Sequence, residues 1–250
     1  MHPYLTLHHP SSAREYYAQG LWREESLYAL LARHASYRPS ALAARDGKRE
    51  LTWHQLFDWV EGVSSALAEL GVTAGDRVSI WTDNGLESVI LFLACSRDGT
   101  ACNPSLHRTY HSREIVQLLD RLQSRVLLTR ADWGADDSSS VVAATLAKAK
   151  SLTEIWTPET VPQHGPAKRD PVGDPDKVVY LAFTSGTTGA PKCVMHSDNT
   201  LLANARDLVR DWGHDEQTVL LSLSPFSHHI AWVAVAQGLL AGCKLITDDP

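Results

Sequence analysis

The chain predicts an α/β fold, on three observations. Helical and strand-like patterns alternate along its length, and 250 residues with 44% hydrophobic side chains suffice for a sizeable core. The apolar, β-rich run Val178–Phe183 also leads straight into a loop of hydroxyls and glycines ended by a lysine, the position at which open α/β sheets present ligands.

Residues 1–20, with His2, His8 and His9, read as a flexible amino-terminal arm. They lack the cationic segment and apolar core of a secretory signal. A helix is predicted near Ser26–Tyr37. The clearest helix is Trp53–Leu70: Leu56, Phe57, Val60, Val63, Leu67 and Leu70 recur at helical spacing, Thr52 can cap it, and Gly71 stands at the stop position. Next come a strand at Arg77–Trp81, helices at Gly85–Arg97 and Arg113–Leu122, a strand at Arg125–Thr129, a helix at Val141–Lys150 and a strand at Leu152–Trp156. The short DDSSS run at Asp136–Ser140 reads as a surface turn. The stretch 157–176 is rich in Pro, Gly and charge without periodicity and is the expected seam. Beyond Val178–Phe183 follow a helix at Asp198–Trp212, a strand at Val219–Leu223, an apolar helix from about Ile230 and a strand at Lys244–Thr247. The expected organisation is thus an arm over 1–20, a first α/β subdomain over 21–156, a linker over 157–176, and the start of a second subdomain over 177–250.

Several function classes are disfavoured. A net charge of −6 with a pI near 6.0 argues against a nucleic-acid binder, which would normally carry a basic patch. Cys95, Cys102, Cys193 and Cys243 form no C-x-x-C pair and no metal spacing, so neither a disulfide scaffold nor structural zinc is expected, and a reducing cytoplasm fits. The apolar segment Ile230–Ala241 is interrupted by Gln237 and Gly238 and is shorter than the roughly 20 residues a membrane span needs.

The loop Thr184–Lys192 reads as a phosphate-handling element. Gly186 and Gly189 let backbone amides approach an anion, Thr184, Ser185, Thr187 and Thr188 add hydroxyl donors, and Lys192 supplies a point charge. The spacing G-x-x-G-x-x-K differs from the Walker loop, which places four residues between its glycines and a hydroxyl directly after the lysine. A hydrolase nucleophile at Ser185 would need glycine where Phe183 stands. A plain solvated turn is the remaining alternative.

The stretch F-T-S-G-T-T-G-A-P-K resembles the signature loop of the adenylate-forming superfamily: acyl- and aryl-CoA ligases, peptide-synthetase adenylation domains and luciferases. Further resemblances run in order along the chain: Gly20-Leu21-Trp22 with Glu24-Glu25-Ser26-Leu27, Leu51-Thr52-Trp53, Gly75-Asp76-Arg77-Val78, and Val194-Met195-His196 with Asn199-Thr200-Leu201. They look closest to cyclohexanecarboxylate-type CoA ligases and aryl-acid AMP ligases. The resemblance implies an N-terminal domain with sheets flanked by helices in layers, incomplete at its carboxyl end. It implies that Thr184, Ser185, Gly186, Thr187, Thr188, Gly189 and Lys192 handle ATP. Cys193 departs from the family's usual glycine.

Ser224–Trp232 resembles the family's P-x-x-H acyl-pocket motif. His228 would then stand between acyl and nucleotide sites, with His229 and Trp232 lining the acyl pocket. His229 replaces the Asn of aryl-acid and the Gln of alicyclic-acid ligases, leaving the subclass open, and Ala231 replaces a common glycine. On residue type alone, a His-His pair reads as structural and Trp232 as core.

The implied activity is an ATP- and Mg2+-dependent acid:CoA ligase acting through an acyl-adenylate on an alicyclic, aromatic or medium-chain acid. Alternatives are an aryl-acid ligase loading a carrier protein, or a nucleotide- or partner-binding domain without turnover. The expected partners are the acid, ATP and CoA, a homodimer being an open arrangement; no catalytic residue or metal ligand is assigned. The family's adenine, ribose and hinge elements and its catalytic lysine are expected beyond Pro250, so the 250 residues are expected to be the amino-terminal portion of a longer enzyme and a poor catalyst alone.

Overall fold

In the computed structural model, which describes residues 8–165, 168–184 and 191–247, helices and strands alternate along the chain. The order is α1 (Pro10–Ala18), α2 (Leu27–Tyr37), β1 (Leu42–Arg45), β2 (Glu50–Thr52), α3 (Trp53–Glu69), β3 (Arg77–Trp81), α4 (Leu86–Asp98), β4 (Ala101–Asn103), α5 (Ser112–Leu122), β5 (Ser124–Thr129), α6 (Ser139–Leu146), β6 (Glu154–Trp156), β7 (Val178–Thr184), β8 (Lys192–Ser197), α7 (Asp198–Trp212), β9 (Val219–Ser222), α8 (His229–Ala241) and β10 (Lys244–Thr247).

Two sheets result. One has six strands in the order β6-β5-β3-β4-β7-β8, parallel except for the antiparallel β7–β8 hairpin. The other has four in the order β2-β1-β10-β9, with β1, β10 and β9 parallel and β2 antiparallel. Each sheet draws strands from both sides of 157–176. The seam expected there is therefore not a spatial division: the chain leaves the six-stranded sheet at β6, re-enters it at β7, and completes the four-stranded sheet with β9 and β10.

Helix α4 explains how the layers hold. All of its residues are buried, the apolar middle in the core and the polar ends, Glu87 and Ser96–Asp98, in hydrogen bonds and ion pairs. Val89, Ile90, Phe92 and Leu93 join one core with α2, α3, α8, the inner face of the large sheet (Val78, Ile80, Val126, Leu128, Tyr180) and Ala43, Ala44 and Leu245 of the small sheet. A second core covers the outer face, where Trp81, Leu127, Leu181 and Phe183 meet Ile115, Leu119 and Leu122 of α5 and Val142 and Leu146 of α6. Alternation along β7, with Tyr180 inward and Leu181 and Phe183 outward, is the period-2 rule at work.

α3 forms as the sequence predicts. The Thr52 hydroxyl accepts from the Gln55 amide at 3.2 Å while the Gln55 side chain accepts from the Thr52 amide at 2.8 Å, and Gly71 leaves the helix at φ 70°. The amino-terminal arm is corrected. Pro10–Ala18 is a helix whose first turn is capped by the His9 side chain, and Tyr16 and Tyr17 pack on the buried Trp22. His8 sits edge-on to the same indole at 4.7 Å, whereas His2 lies outside the described residues.

Asp198, at the first turn of α7, has no exposed surface. Its carboxylate accepts from the Leu27 amide at 3.0 Å, the Ser96 hydroxyl at 2.8 Å and the Lys177 ammonium at 2.6 Å. It thereby ties the starts of α2 and α7 to α4 and to the base of the β7–β8 hairpin. Removing one partner of a buried ion pair strands the other, so Asp198→Asn is expected to lower unfolding free energy by about 3–5 kcal/mol in a denaturant titration; an unchanged midpoint would contradict this role.

Candidate active site

The hairpin presents the phosphate-type loop at the carboxyl end of β7. Val178–Phe183 are buried and Thr184 is exposed, and the final register pair is Thr184 with Lys192. The two expected nucleotide-handling residues that are described thus stand opposite each other at the mouth of the hairpin. Ser185, Gly186, Thr187, Thr188 and Gly189 lie outside the described residues. Arg121 of α5 braces both ends of the loop: its guanidinium donates to the Pro191 carbonyl at 2.7 Å and lies 5.6 Å from the Phe183 ring centre. Cys193 packs against the outer core, and burial pushes its thiol pKa up, opposed by Arg121. It serves there as a small apolar residue.

Beside the hairpin lies a cleft of about 640 Å³. It is lined from the carboxyl ends of four strands: Asn84 after β3, His107 and Arg108 after β4, Trp133 after β5 and His228 after β9. This is the crevice in which α/β sheets bind ligands. Asn84 fixes its far wall, donating to the Ser224 carbonyl at 3.1 Å and accepting from the Phe226 amide at 2.9 Å. Arg108 stacks over the Trp133 ring at 4.8 Å, and Arg130 pairs with Asp83 at 2.9 Å. His107 Nδ1 lies 3.2 Å from the Ser227 hydroxyl and its ring 4.8 Å from that of His228. Burial, followed by the charge of His228, holds the His107 pKa below its ordinary value.

Of the three expected acyl-site residues, the structure brings only His228 to this cleft. His229 stacks on His196 of β8 at 4.6 Å and 20°, with the Tyr180 ring at 5.5 Å. Burial lowers the pKa of both imidazoles; that of His196, with the charge of His229 adding, falls to about 4. Trp232 is 1% exposed, donates its indole N–H to the Phe226 carbonyl at 2.7 Å and packs on Phe92 at 4.3 Å. It is a core residue that holds the motif loop from beneath.

Asn84, His107, Arg108 and Trp133 went unread in the sequence. Asn84 and Trp133 follow the predicted strands Arg77–Trp81 and Arg125–Thr129 by three and four residues, so the carboxyl-end rule was the available signal. His107 and Arg108 follow a strand too short to be seen. Among the described residues, no group of three or more His, Cys, Asp or Glu could hold a metal ion, and no helix is long and apolar enough to cross a membrane.

The sequence pattern of the family described as AMP-binding enzyme matches residues 31–250. The salicylyl-CoA synthase / salicylate adenylyltransferase of a Streptomyces species is 28% identical over 264 residues, covering 96% of this chain and 48% of that protein. The 3-[(3aS,4S,7aS)-7a-methyl-1,5-dioxo-octahydro-1H-inden-4-yl]propanoyl:CoA ligase of Mycobacterium tuberculosis is 30% identical over 228 residues, covering 84% of this chain and 44% of that one. A solved Mycobacterium tuberculosis fatty acyl CoA synthetase shares the fold, with a TM-score of 0.77 at 20% identity over 89% of this chain and 44% of that chain. The chain spans about half the length of these relatives.

The imidazoles give a pH test. His196 titrates near 6.5 when unfolded and near 4 when folded, so over that window the unfolded chain binds protons the folded one does not. Its contribution is fully present above the unfolded value and is lost as pH falls toward the folded one; His107 and His229 shift the same way. Denaturant midpoints measured from about pH 7.5 to about pH 4.5 should fall with acidification, and less steeply in His196→Phe. An identical slope in the variant would contradict the assignment.

Proposed function

This chain belongs to the AMP-binding enzyme family, and from that membership we propose that the protein activates a carboxylic acid with ATP, through an acyl-adenylate, and passes the acyl group to coenzyme A. The observation that supports this reading is that the Ser105 hydroxyl reaches both the Phe183 carbonyl, next to the Thr184/Lys192 hairpin mouth, and the Ser227 carbonyl, next to His228 at the cleft.

A carboxylate oxygen attacks the α-phosphorus of ATP, the bond to the bridging oxygen breaks, and pyrophosphate leaves. The thiol of the acceptor then attacks the acyl carbon and AMP departs. What such a reaction asks of a protein is alignment and charge neutralisation. Lys192, exposed beside Thr184, offers a cation to the phosphates, and Thr184 a hydroxyl donor. Mg2+ would be held mainly by phosphate oxygens and water. Thr184, exposed at the hairpin mouth, would offer such an ion a hydroxyl oxygen, and the ion would supply further neutralisation at the phosphates. His228, the residue that precedes α8 as its N-cap, separates the acid from the nucleotide in this reading.

The acceptor has to reach the acyl carbon past His228. The cleft supplies a route, and its lining includes Arg108 over the Trp133 ring, a cation suited to the phosphates of coenzyme A. The names of both curated relatives include CoA chemistry. That of the Streptomyces relative also includes adenylyl transfer, which supports an aryl-acid ligase loading a carrier protein as the second reading. The acid is proposed to be alicyclic, aromatic or medium-chain.

ATP–pyrophosphate exchange across these three acid classes, using the full product of the reading frame, tests the proposal. At least one class should stimulate exchange, and Lys192→Ala should raise the KM for ATP roughly tenfold, as the loss of one charge-assisted contact. Exchange stimulated by no acid would overturn it. Thioester formed with CoA rather than with a carrier protein decides between the acceptors.

A further inference from the structure

Ser105 follows β4 and is 3% exposed. Its hydroxyl oxygen lies 3.1 Å from the carbonyl oxygen of Phe183 and 3.2 Å from that of Ser227. Phe183 immediately precedes Thr184 at the mouth of the hairpin, and Ser227 immediately precedes His228. Phe183 lies in β7 of the large sheet and Ser227 in the loop after β9 of the small one, 78 and 122 residues from Ser105 in sequence. The amide of Ser105 donates to the Asn103 side chain at 3.2 Å, which holds the residue in place, and Asn103 itself has no exposed surface. His107, two residues on, reaches the side chain of the same Ser227 at 3.2 Å.

We propose that Ser105 is a positioning residue that ties the nucleotide-handling end of β7 to the loop carrying His228, so that a shift of either is felt by the other. The proposal rests on the adenylation reading given above.

The chemistry of the hydroxyl sets the coupling. A serine side chain has one hydrogen to donate, and here two carbonyl oxygens stand within reach of it. They share that hydrogen in a three-centre bond or take it in turn. In either case, moving one carbonyl away strengthens the bond to the other. A buried hydroxyl without partners is costly, so packing alone would favour alanine at this position. Adenylation gives the link its use: the acid must meet the α-phosphorus at a separation of roughly 3–3.5 Å, and the segments proposed to hold the two reactants come from different sheets. Asn84 also bridges the sheets, gripping Ser224 and Phe226, but its partners lie on the acyl side only. Among the described residues, Ser105 bonds directly to the residues preceding both Thr184 and His228.

Hydrogen–deuterium exchange on the 250-residue chain tests the link without requiring turnover. Ser105→Ala should speed exchange by about three- to tenfold, the equivalent of one hydrogen bond, in both 178–184 and 223–228, with β3 and β5 unchanged. Ser105→Thr, which keeps the hydroxyl, should return both segments toward the parent rate. Acceleration in one segment only, in neither, or throughout the molecule would overturn the proposal, as would a threonine variant as fast as alanine.

A second arm reads the consequence for the reaction. In pyrophosphate exchange with the full product of the reading frame, the factor by which a saturating acid lowers the KM for ATP should shrink toward one in Ser105→Ala and recover in Ser105→Thr. A fall in kcat with that factor intact would mark a merely structural role and overturn the link. Failure of the parent protein to exchange with any acid would remove the adenylation reading instead, and the deuterium result would then decide the link alone.

Discussion

One buried carboxylate fixes the frame on which the site is built. Asp198 collects a backbone amide from α2, a hydroxyl from α4 and the ammonium of Lys177, and its own helix begins where the β7–β8 hairpin ends. A carboxylate with no exposed surface is tolerable only when its lone pairs are filled and its charge matched, and both conditions are met here. The consequence is geometric. With the base of the hairpin held by an ion pair, its mouth at Thr184 and Lys192 projects from a defined edge of the large sheet rather than from a loose loop. A second buried network, in which Arg97 pairs with Glu61 and Asp98, fastens α4 to α3 near the opposite end of the same helix from Glu87.

Because the two sheets interleave in sequence, their strand ends can be brought to one crevice. β3, β4 and β5 of the large sheet and β9 of the small one all deliver loops to the cleft that ends at His228. The loops are held by hydrogen bonds to backbone atoms: Asn84 to Ser224 and Phe226, Trp232 to Phe226, Trp81 to the His107 carbonyl at 3.0 Å. Side chains anchored to main chain leave the facing groups free for a ligand. Desolvation acts on the imidazoles around this region in one direction, favouring neutral rings at His107, His196 and His229.

Much of this was legible in the sequence where a local rule governs. α3 has a cap, a period and a glycine stop, and it forms within one residue of its predicted end. β3 and β10 are short apolar runs bounded by polar residues, and they appear at the predicted limits. β4 has only three residues, too few for any period, and β8 reads Lys-Cys-Val-Met-His-Ser, a half-exposed edge that resembles a loop. α1 was hidden because none of its residues is buried; its anchor, Trp22, lies outside it. The interleaving of the sheets was invisible for a different reason, since proline and glycine at 157–176 mark an irregular connection but not where the chain goes next. For the candidate site, motif position pointed to His228, which lines the cleft, and to Thr184 and Lys192, which pair at the hairpin mouth. Tertiary packing decided the rest: Trp232 went to the core, as its residue type suggests, His229 to a stack with His196, and Asn84, His107 and Trp133 to the cleft.

The central claim is that this fold brings a carboxylate to the α-phosphorus of ATP. The most direct measurement uses an acid labelled with oxygen-18 in its carboxyl group, incubated with ATP, CoA and the full product of the reading frame, and follows the label by mass spectrometry. Attack at the α-phosphorus predicts AMP carrying one labelled oxygen, with unlabelled pyrophosphate. Label in inorganic phosphate with ADP as the nucleotide product would place the attack at the γ-phosphorus and contradict the account.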